Sequence, residues 1–74
     1  MPLASVKVNG GLIKKMREER GWERKEFAAL VGVSADRIYK IEKLKQTTRP
    51  LTLRRIAAVL GVPPQDLARN EIVA

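Results

Sequence analysis

The chain has 74 residues, of which 15 are basic and 8 acidic, and it contains neither cysteine nor histidine. These absences exclude disulfide bridges and metal sites built from thiolates or imidazoles, and they remove the commonest general base and a common nucleophile of enzymes. We therefore expect one small domain held together by packing, with no metal, no cofactor and no enzymatic activity. A net charge of +7 on so short a chain favours an acidic partner such as nucleic acid.

The excess positive charge is concentrated in one stretch. Residues 37–55 hold seven basic residues and a single acid, Glu42, and so carry six of the seven net charges. A merely cationic surface, which is the alternative, would spread the charge more evenly. The clustering is what a nucleic-acid footprint requires.

The first nine residues are predicted to form an arm outside the domain. Val6 and Val8 alternate with Lys7 as in a strand, but no partner strand is evident, so a strand exchanged within a dimer is the alternative. No basic start leads into a long apolar run, and no stretch reaches 18 apolar residues. Neither a signal peptide nor a membrane span is predicted, and a cytoplasmic location is expected.

Glycine and proline divide residues 10–70, the predicted domain, into blocks of about 8 to 12 residues, which is a common helix length. The first predicted helix covers residues 11–20, with Asn9 as its N-cap and Gly21 as a left-handed residue at its end.

The second predicted helix covers residues 24–31, and Glu23 is its expected N-cap. Trp22 and Phe27 then fit a hydrophobic staple across the start of the helix. Phe27, Leu30 and Val31 form its predicted apolar stripe.

The third predicted helix covers residues 34–44 and begins at Ser34, a strong N-cap. A polar basic loop follows, and Pro50 suits the first turn of a fourth helix that ends at Gly61. A short fifth helix is predicted from Pro64 to about residue 70, before a frayed tail at residues 71–74. The fold class is therefore all-α, with five short helices.

The second and third helices meet the requirements of a helix-turn-helix. Ala28 is small where two helices must cross closely, and Gly32 permits the turn. Val33 can fill the turn, and Ile38 can point inward from the second helix of the unit. The outer face of that helix is polar, as a helix that enters the major groove of DNA must be.

Four ordered segments resemble the Cro and phage-repressor family of helix-turn-helix domains, and together they extend over about residues 11–68. They are Ile-Lys-Lys-Met-Arg-Glu-Glu-Arg-Gly-Trp at 13–22, Glu-Phe-Ala-Ala-Leu-Val-Gly-Val-Ser at 26–34, Arg-Ile-Tyr-Lys-Ile-Glu at 37–42 and Ile-Ala-Ala-Val-Leu-Gly-Val at 56–62. The resemblance implies a compact five-helix domain of the lambda-repressor type that binds double-stranded DNA and regulates transcription.

The resemblance implies base contacts at Ala35, Asp36 and Lys40. The donor groups of Arg37 or Lys40 suit guanine, and the Asp36 carboxylate suits cytosine. The alternatives are that Asp36 stabilises the helix N-terminus, and that Arg37 and Lys40 lie on a solvated face.

The resemblance also implies phosphate contacts, which position the protein without reading sequence. At the start of the second helix Arg24 stands where the family has glutamine, and Tyr39 either binds a phosphate or covers the helix flank. The family loop that tracks the backbone corresponds here to Lys43, Lys45, Gln46, Thr47, Thr48 and Arg49, with an ordinary polar loop as the alternative. The family loop usually contains glycine, whereas residues 43–45 have none.

Arg17 and Glu42 match a family ion pair that joins the first helix to the end of the third, which corresponds to the recognition helix of the family. The expected partners are double-stranded DNA and a second copy of the chain, with dimer contacts at Leu67, Ile72 and Val73. The alternative is an antitoxin-type module that binds a protein toxin as well as its own operator.

Overall fold

The computed structural model describes residues 5–69, and within them the chain is mostly helical. The helices are α1 (Gly10–Glu19), α2 (Arg24–Val31), α3 (Ala35–Tyr39), α4 (Pro50–Leu60) and α5 (Pro64–Leu67), and the short strands are β1 (Val6–Lys7) and β2 (Thr47–Thr48). The five predicted helices are confirmed. None of the helices in residues 5–69 is long and apolar enough to span a membrane.

Local signals place the first two helices where the sequence predicts them. The Asn9 side chain accepts a hydrogen bond from the Leu12 amide at 3.0 Å, and Gly21 adopts φ 73° after α1. Glu23 is the N-cap of α2, and its amide donates to the Glu26 carboxylate at 3.0 Å. The rings of Trp22 and Phe27 stack at 5.9 Å, so the predicted staple is present.

The third helix changes its winding halfway. Residues Ala35–Tyr39 are α-helical, and Lys40–Leu44 continue as a π-helical turn in which the Lys45 amide donates to the Lys40 carbonyl at 2.9 Å. The two sequence neighbours Ile41 and Glu42 are both buried in this turn. We call α3 together with this π-helical turn the recognition element.

Gln46 takes the conformation that a glycine would otherwise supply in the loop. Its φ is 51°, in the left-handed region, where a side chain costs about 1–2 kcal/mol. The loop thus turns without the family glycine, at the expense of strain at this residue.

Replacing Gln46 with glycine should raise the free energy of unfolding by up to about 1 kcal/mol, because the released strain exceeds the added flexibility of the unfolded chain. Urea denaturation measures the change. The matched control is Gln46→Ala, which keeps the Cβ and should give no gain. Equal shifts in the two variants would contradict the strain at this position.

The predicted N-terminal arm is instead part of the domain. Val6 pairs with Thr48 and Lys7 with Thr47 in an antiparallel ladder, and Val8 is fully buried. The partner strand lies about 40 residues away in the same chain, so no local pattern reveals it. The prediction of an unpaired arm was wrong for residues 6–8, and their pairing needs no second protomer.

The end of the domain also differs from the prediction. Helix α5 stops at Leu67 rather than near residue 70, because Ala68 is extended and bridges Val8, and the Arg69 amide donates to the Lys7 carbonyl at 2.8 Å. Leu67 is fully buried in the core of the monomer and is therefore unavailable for the predicted dimer contact. The other predicted contacts, Ile72 and Val73, and the tail at 71–74 lie outside the described residues.

One core joins all five helices and the N-terminal segment. Its largest fully buried side chains are those of Phe27, Ile13, Ile38, Ile56, Leu67 and Val8. Leu30, predicted on the apolar stripe of α2, is 55% exposed. Phe27, Ala28 and Val31 define the buried face of α2, and at 3.6 residues per turn Leu30 lies about 100° from its centre.

Candidate nucleic-acid interface

The turn between α2 and α3 has the geometry that the sequence predicts. Ala28 is 2% exposed, and Gly32 has φ 90°. The Ser34 side chain accepts a hydrogen bond from the Arg37 amide at 3.1 Å and so caps α3. Ile38 is fully buried, so the inner side of α3 is anchored in the core.

A groove of about 300 Å³ opens between the outer side of the recognition element and strand β2. It brings together six of the predicted contact residues: Asp36, Arg37, Lys40, Lys45, Thr47 and Arg49. The groove also includes Ser5, Ser34 and Thr48. Four of its lining residues are basic and one is acidic, so it favours a polyanion.

Two candidate base contacts are paired with each other on the surface. The Lys40 Nζ lies 3.0 Å from the Asp36 Oδ2, and the side chains are 52% and 70% exposed. An exposed pair at this helical spacing contributes about 0.3–0.5 kcal/mol, so a ligand can separate the two groups at little cost. Ala35 lies half-buried against the core at the start of the same helix.

A second groove lies next to the first and shares Lys45 with it. Gln46 lines a neighbouring groove of about 280 Å³ together with Lys7, Leu44, Lys45 and Arg69. Lys45 lines both grooves, so the basic surface is continuous from α3 to the chain segments around β1.

Lys43 lies in the π-helical turn of the recognition element, which packs against α1. The Lys14 amine, through a hydrogen bond to Lys43 and through its like charge, lowers the pKa of the Lys43 ammonium. Arg24 adds to the repulsion, and Glu42 opposes it. Positive charge therefore accumulates here, which favours a nearby anion.

The predicted ion pair between Arg17 and Glu42 is buried, and Arg17 also contacts the chain before α2. The Arg17 Nε donates to the Glu42 Oε2 at 2.8 Å, and the Arg17 Nη2 donates to the Oε1 at 3.3 Å. The exposed fractions of the two side chains are 6% and 0%. The Arg17 Nη1 also donates to the Trp22 carbonyl at 2.7 Å, so Arg17 ties α1 to the start of α2 and to the recognition element.

Arg24 joins this cluster. Its Nε donates to the Glu42 Oε1 at 3.2 Å, and its Cζ lies 5.1 Å from the centroid of the Tyr39 ring. The Arg24 side chain remains 34% exposed. Two predicted phosphate contacts, Arg24 and Tyr39, are thus in contact with each other.

Sequence reasoning missed two residues of this surface, Ser5 and Lys14. Ser5 lines the main groove because β1 pairs with β2. Thr48, which belongs to the predicted backbone-tracking loop, lines the same groove, and within residues 5–69 its buried Oγ1 has no hydrogen-bond partner. The alternation of Val6 and Val8 was the available signal for the strand. Lys14 reaches Lys43 only through the packing of α1 on the π-helical turn, for which the sequence carries no signal.

The chain is similar to solved structures of DNA-binding proteins. SinR from Bacillus subtilis has an N-terminal DNA-binding domain that is 30% identical, with a TM-score of 0.75 over 84% of this chain and 91% of that one. A crystal structure of SinR in complex with DNA is 32% identical, with a TM-score of 0.70 over 76% of this chain and 90% of that one. The restriction-modification controller protein C.AhdI from Aeromonas hydrophila is 18% identical, with a TM-score of 0.71 over 77% and 86%, and shares the fold.

A protein from Thermococcus gammatolerans, assigned as a transcriptional regulatory protein of the helix-turn-helix type, is 31% identical over 70 residues. The alignment covers 90% of this chain but 22% of that protein, so the chain spans about a fifth of its relative. These relatives are regulators and DNA-binding domains, in agreement with the expectation that the chain is not an enzyme. A family model of helix-turn-helix sequences matches residues 13–67, and the chain therefore belongs to the helix-turn-helix family.

Proposed function

We propose that this chain binds double-stranded DNA sequence-specifically and regulates transcription, with α3 in the major groove. The observation that carries the proposal is the groove beside α3, which four basic residues and one acid line. Two of these basic residues belong to the recognition element, which Ile38 anchors in the core, and two belong to the loop that follows it. In this arrangement Ala35, Asp36, Arg37 and Lys40 contact bases. The backbone contacts come from Tyr39, Lys43, Lys45, Gln46, Thr47 and Arg49, and Arg24 is the further candidate.

A homodimer is part of the proposal. A helix-turn-helix dimer contacts two half-sites about 34–36 Å apart on one face of the duplex. A domain of this size buries limited area against DNA, so a second copy is the natural route to useful affinity. Because DNA is the proposed partner, we place the protein in the cytoplasm, associated with the nucleoid when bound.

The decisive experiment is a binding titration against DNA upstream of the protein's own gene at several salt concentrations. Three phosphate-binding cations per protomer, Lys43, Lys45 and Arg49, give an expected slope of log K against log salt of about −5 for a dimer. A two-fold symmetric footprint is expected. Equal affinity for random duplex would refute sequence specificity, and a footprint on one half-site only would refute the dimer.

Lys40→Ala and Lys45→Ala separate base reading from backbone contact. Lys40→Ala should change the base preference, because each good base contact contributes about 1–3 kcal/mol of discrimination. Lys45→Ala should weaken all duplexes alike and reduce the salt slope by about 0.9 per protomer. Lys15→Ala, which removes an exposed α1 cation that lines neither groove, is the control. Uniform loss in both variants would contradict the division of roles.

An antitoxin-type protein partner remains the alternative to a regulator that acts alone. Co-purification of a second chain expressed from the same locus would favour it.

A further inference from the structure

Arg24 is held between two groups that both belong to the recognition element. Its Nε donates to the carboxylate of Glu42, whose side chain is completely buried in the π-helical turn. Its guanidinium carbon lies 5.1 Å from the centroid of the ring of Tyr39, which is the last residue of α3. Because Arg24 is the first residue of α2, one side chain connects the two helices of the helix-turn-helix at the end opposite their turn.

These two contacts restrict what else the guanidinium can bind. An arginine binds a phosphate most strongly when two parallel N–H groups of its planar guanidinium donate hydrogen bonds to it. In Arg24 the Nε–H is already committed to Glu42, which leaves only the terminal amino groups for a phosphate, and the guanidinium carbon lies over the Tyr39 ring, 5.1 Å from its centroid. These contacts are therefore better suited to holding the Arg24 side chain in place than to leaving it free to bind a DNA phosphate.

Glu42 is the point at which the whole cluster is joined. Arg17 of α1 binds both of its oxygens, and Arg24 of α2 binds Oε1 as well. Arg17 is nearly inaccessible, whereas Arg24 is one-third exposed at the protein surface. Arg17 supports the fold, and Arg24 lies where it can control the orientation of the recognition element.

We propose that Arg24 is a positioning residue for DNA binding: it fixes the angle between α2 and the recognition element by holding Glu42 and Tyr39 together. The proposal rests on the proposed function, because the recognition element must bind DNA for its angle to matter. In this proposal Arg24 affects DNA affinity through the orientation of the recognition element, whereas the family resemblance implies that this position contacts a phosphate.

The test compares Arg24→Lys with Arg24→Gln in titrations of a specific site and a random duplex at several salt concentrations. Lysine keeps the charge but lacks the Nε–H and the planar face, so a positioning role predicts that it fails to rescue. Both variants should lose about tenfold in specific affinity, which corresponds to the cation–π contact and the charged hydrogen bond together. The ratio of specific to random affinity should fall, and the salt slope should stay at the wild-type value.

A direct phosphate contact gives the opposite pattern, which would overturn the proposal. Arg24→Lys would then bind nearly as well as the wild type. Arg24→Gln would lose affinity for both duplexes equally, with a salt slope reduced by about 0.9 per protomer. Lys25→Gln, which removes the adjacent exposed cation of α2, is the matched control for net charge.

Two further measurements separate the positioning role from a loss of folding and from failure of the proposed function. Circular dichroism and urea denaturation establish the temperature at which each variant is fully folded, and the titrations are made there. Hydrogen exchange of the Lys45 and Gln46 amides, measured without DNA, should be faster in both Arg24 variants, because the π-helical turn is less firmly held. Unchanged exchange would overturn the positioning role, whereas a wild-type protein that binds no duplex would overturn the proposed function itself.

Discussion

Glu42→Gln should lower the free energy of unfolding by about 3–5 kcal/mol, the usual cost of leaving a buried charge without its partner. Arg17 is the charge that would be stranded, because its side chain is 6% exposed and contacts both Glu42 oxygens. Arg24 contributes less to this cost, since its one-third exposed side chain can turn toward water. Urea denaturation followed by circular dichroism measures the change.

A loss of this size is a large part of the total stability of such a domain, which is roughly 4–11 kcal/mol for 74 residues. Glu19→Gln, which neutralises an exposed acid of α1, is the control and should change stability by less than about 0.5 kcal/mol.

Arg17→Met combined with Glu42→Met provides the second test of the same cluster. Removing both charges leaves no stranded ion between them, so the double variant should be less destabilised than the sum of its single variants. Additive losses would mean that the two residues contribute separately and that the ion pair is not the reason for the cost.

Gly10→Ala is the second variant for which we expect a large effect. A Cβ at Gly10 would lie 2.7 Å from the carbonyl oxygen of Ile41 and 2.9 Å from the carbonyl carbon of Glu42, with the Glu42 oxygen closer still. These are backbone atoms of the π-helical turn, which cannot rotate away as a side chain can. Overpacking of this kind costs about 1–3 kcal/mol, and we expect the upper end of that range, measured by urea denaturation.

The neighbouring glycine is a matched control with the opposite sign. Gly11 is exposed in the same first turn of α1, and a Cβ there would meet only the Asn9 side-chain oxygen, at 3.7 Å. Gly11→Ala should therefore stabilise the protein by up to about 1 kcal/mol through helix propensity. A similar gain from Gly10→Ala would contradict the close contact between α1 and the recognition element.

If α1 is displaced by Gly10→Ala, the recognition element that it supports should also shift. Affinity for the specific DNA site should then fall more than affinity for random duplex, when both are measured on fully folded protein. Equal losses for the two duplexes would indicate that the docking of α1 does not influence base reading.

The sequence by itself determined the five helices and most of their ends, although not the end of α5 or the π-helical turn after α3. Asn9, Glu23 and Ser34 cap helices, and Gly21 and Gly32 take left-handed conformations, because these preferences act over three or four residues and are local. The concentration of cations in residues 37–55 also follows from the sequence, as does the match of Arg17 with Glu42 through the family resemblance.

Only the tertiary structure decided how distant segments meet. Val8 and Leu67 enter the core because β1 pairs with β2 and Ala68 bridges Val8, and both pairings join segments tens of residues apart. The contacts of Gly10 with the π-helical turn and of Arg24 with Glu42 likewise depend on the docking of separate helices. Caps and turns are specified by short-range hydrogen bonds and backbone sterics, whereas these contacts depend on the final packing and leave no periodic signal in the chain.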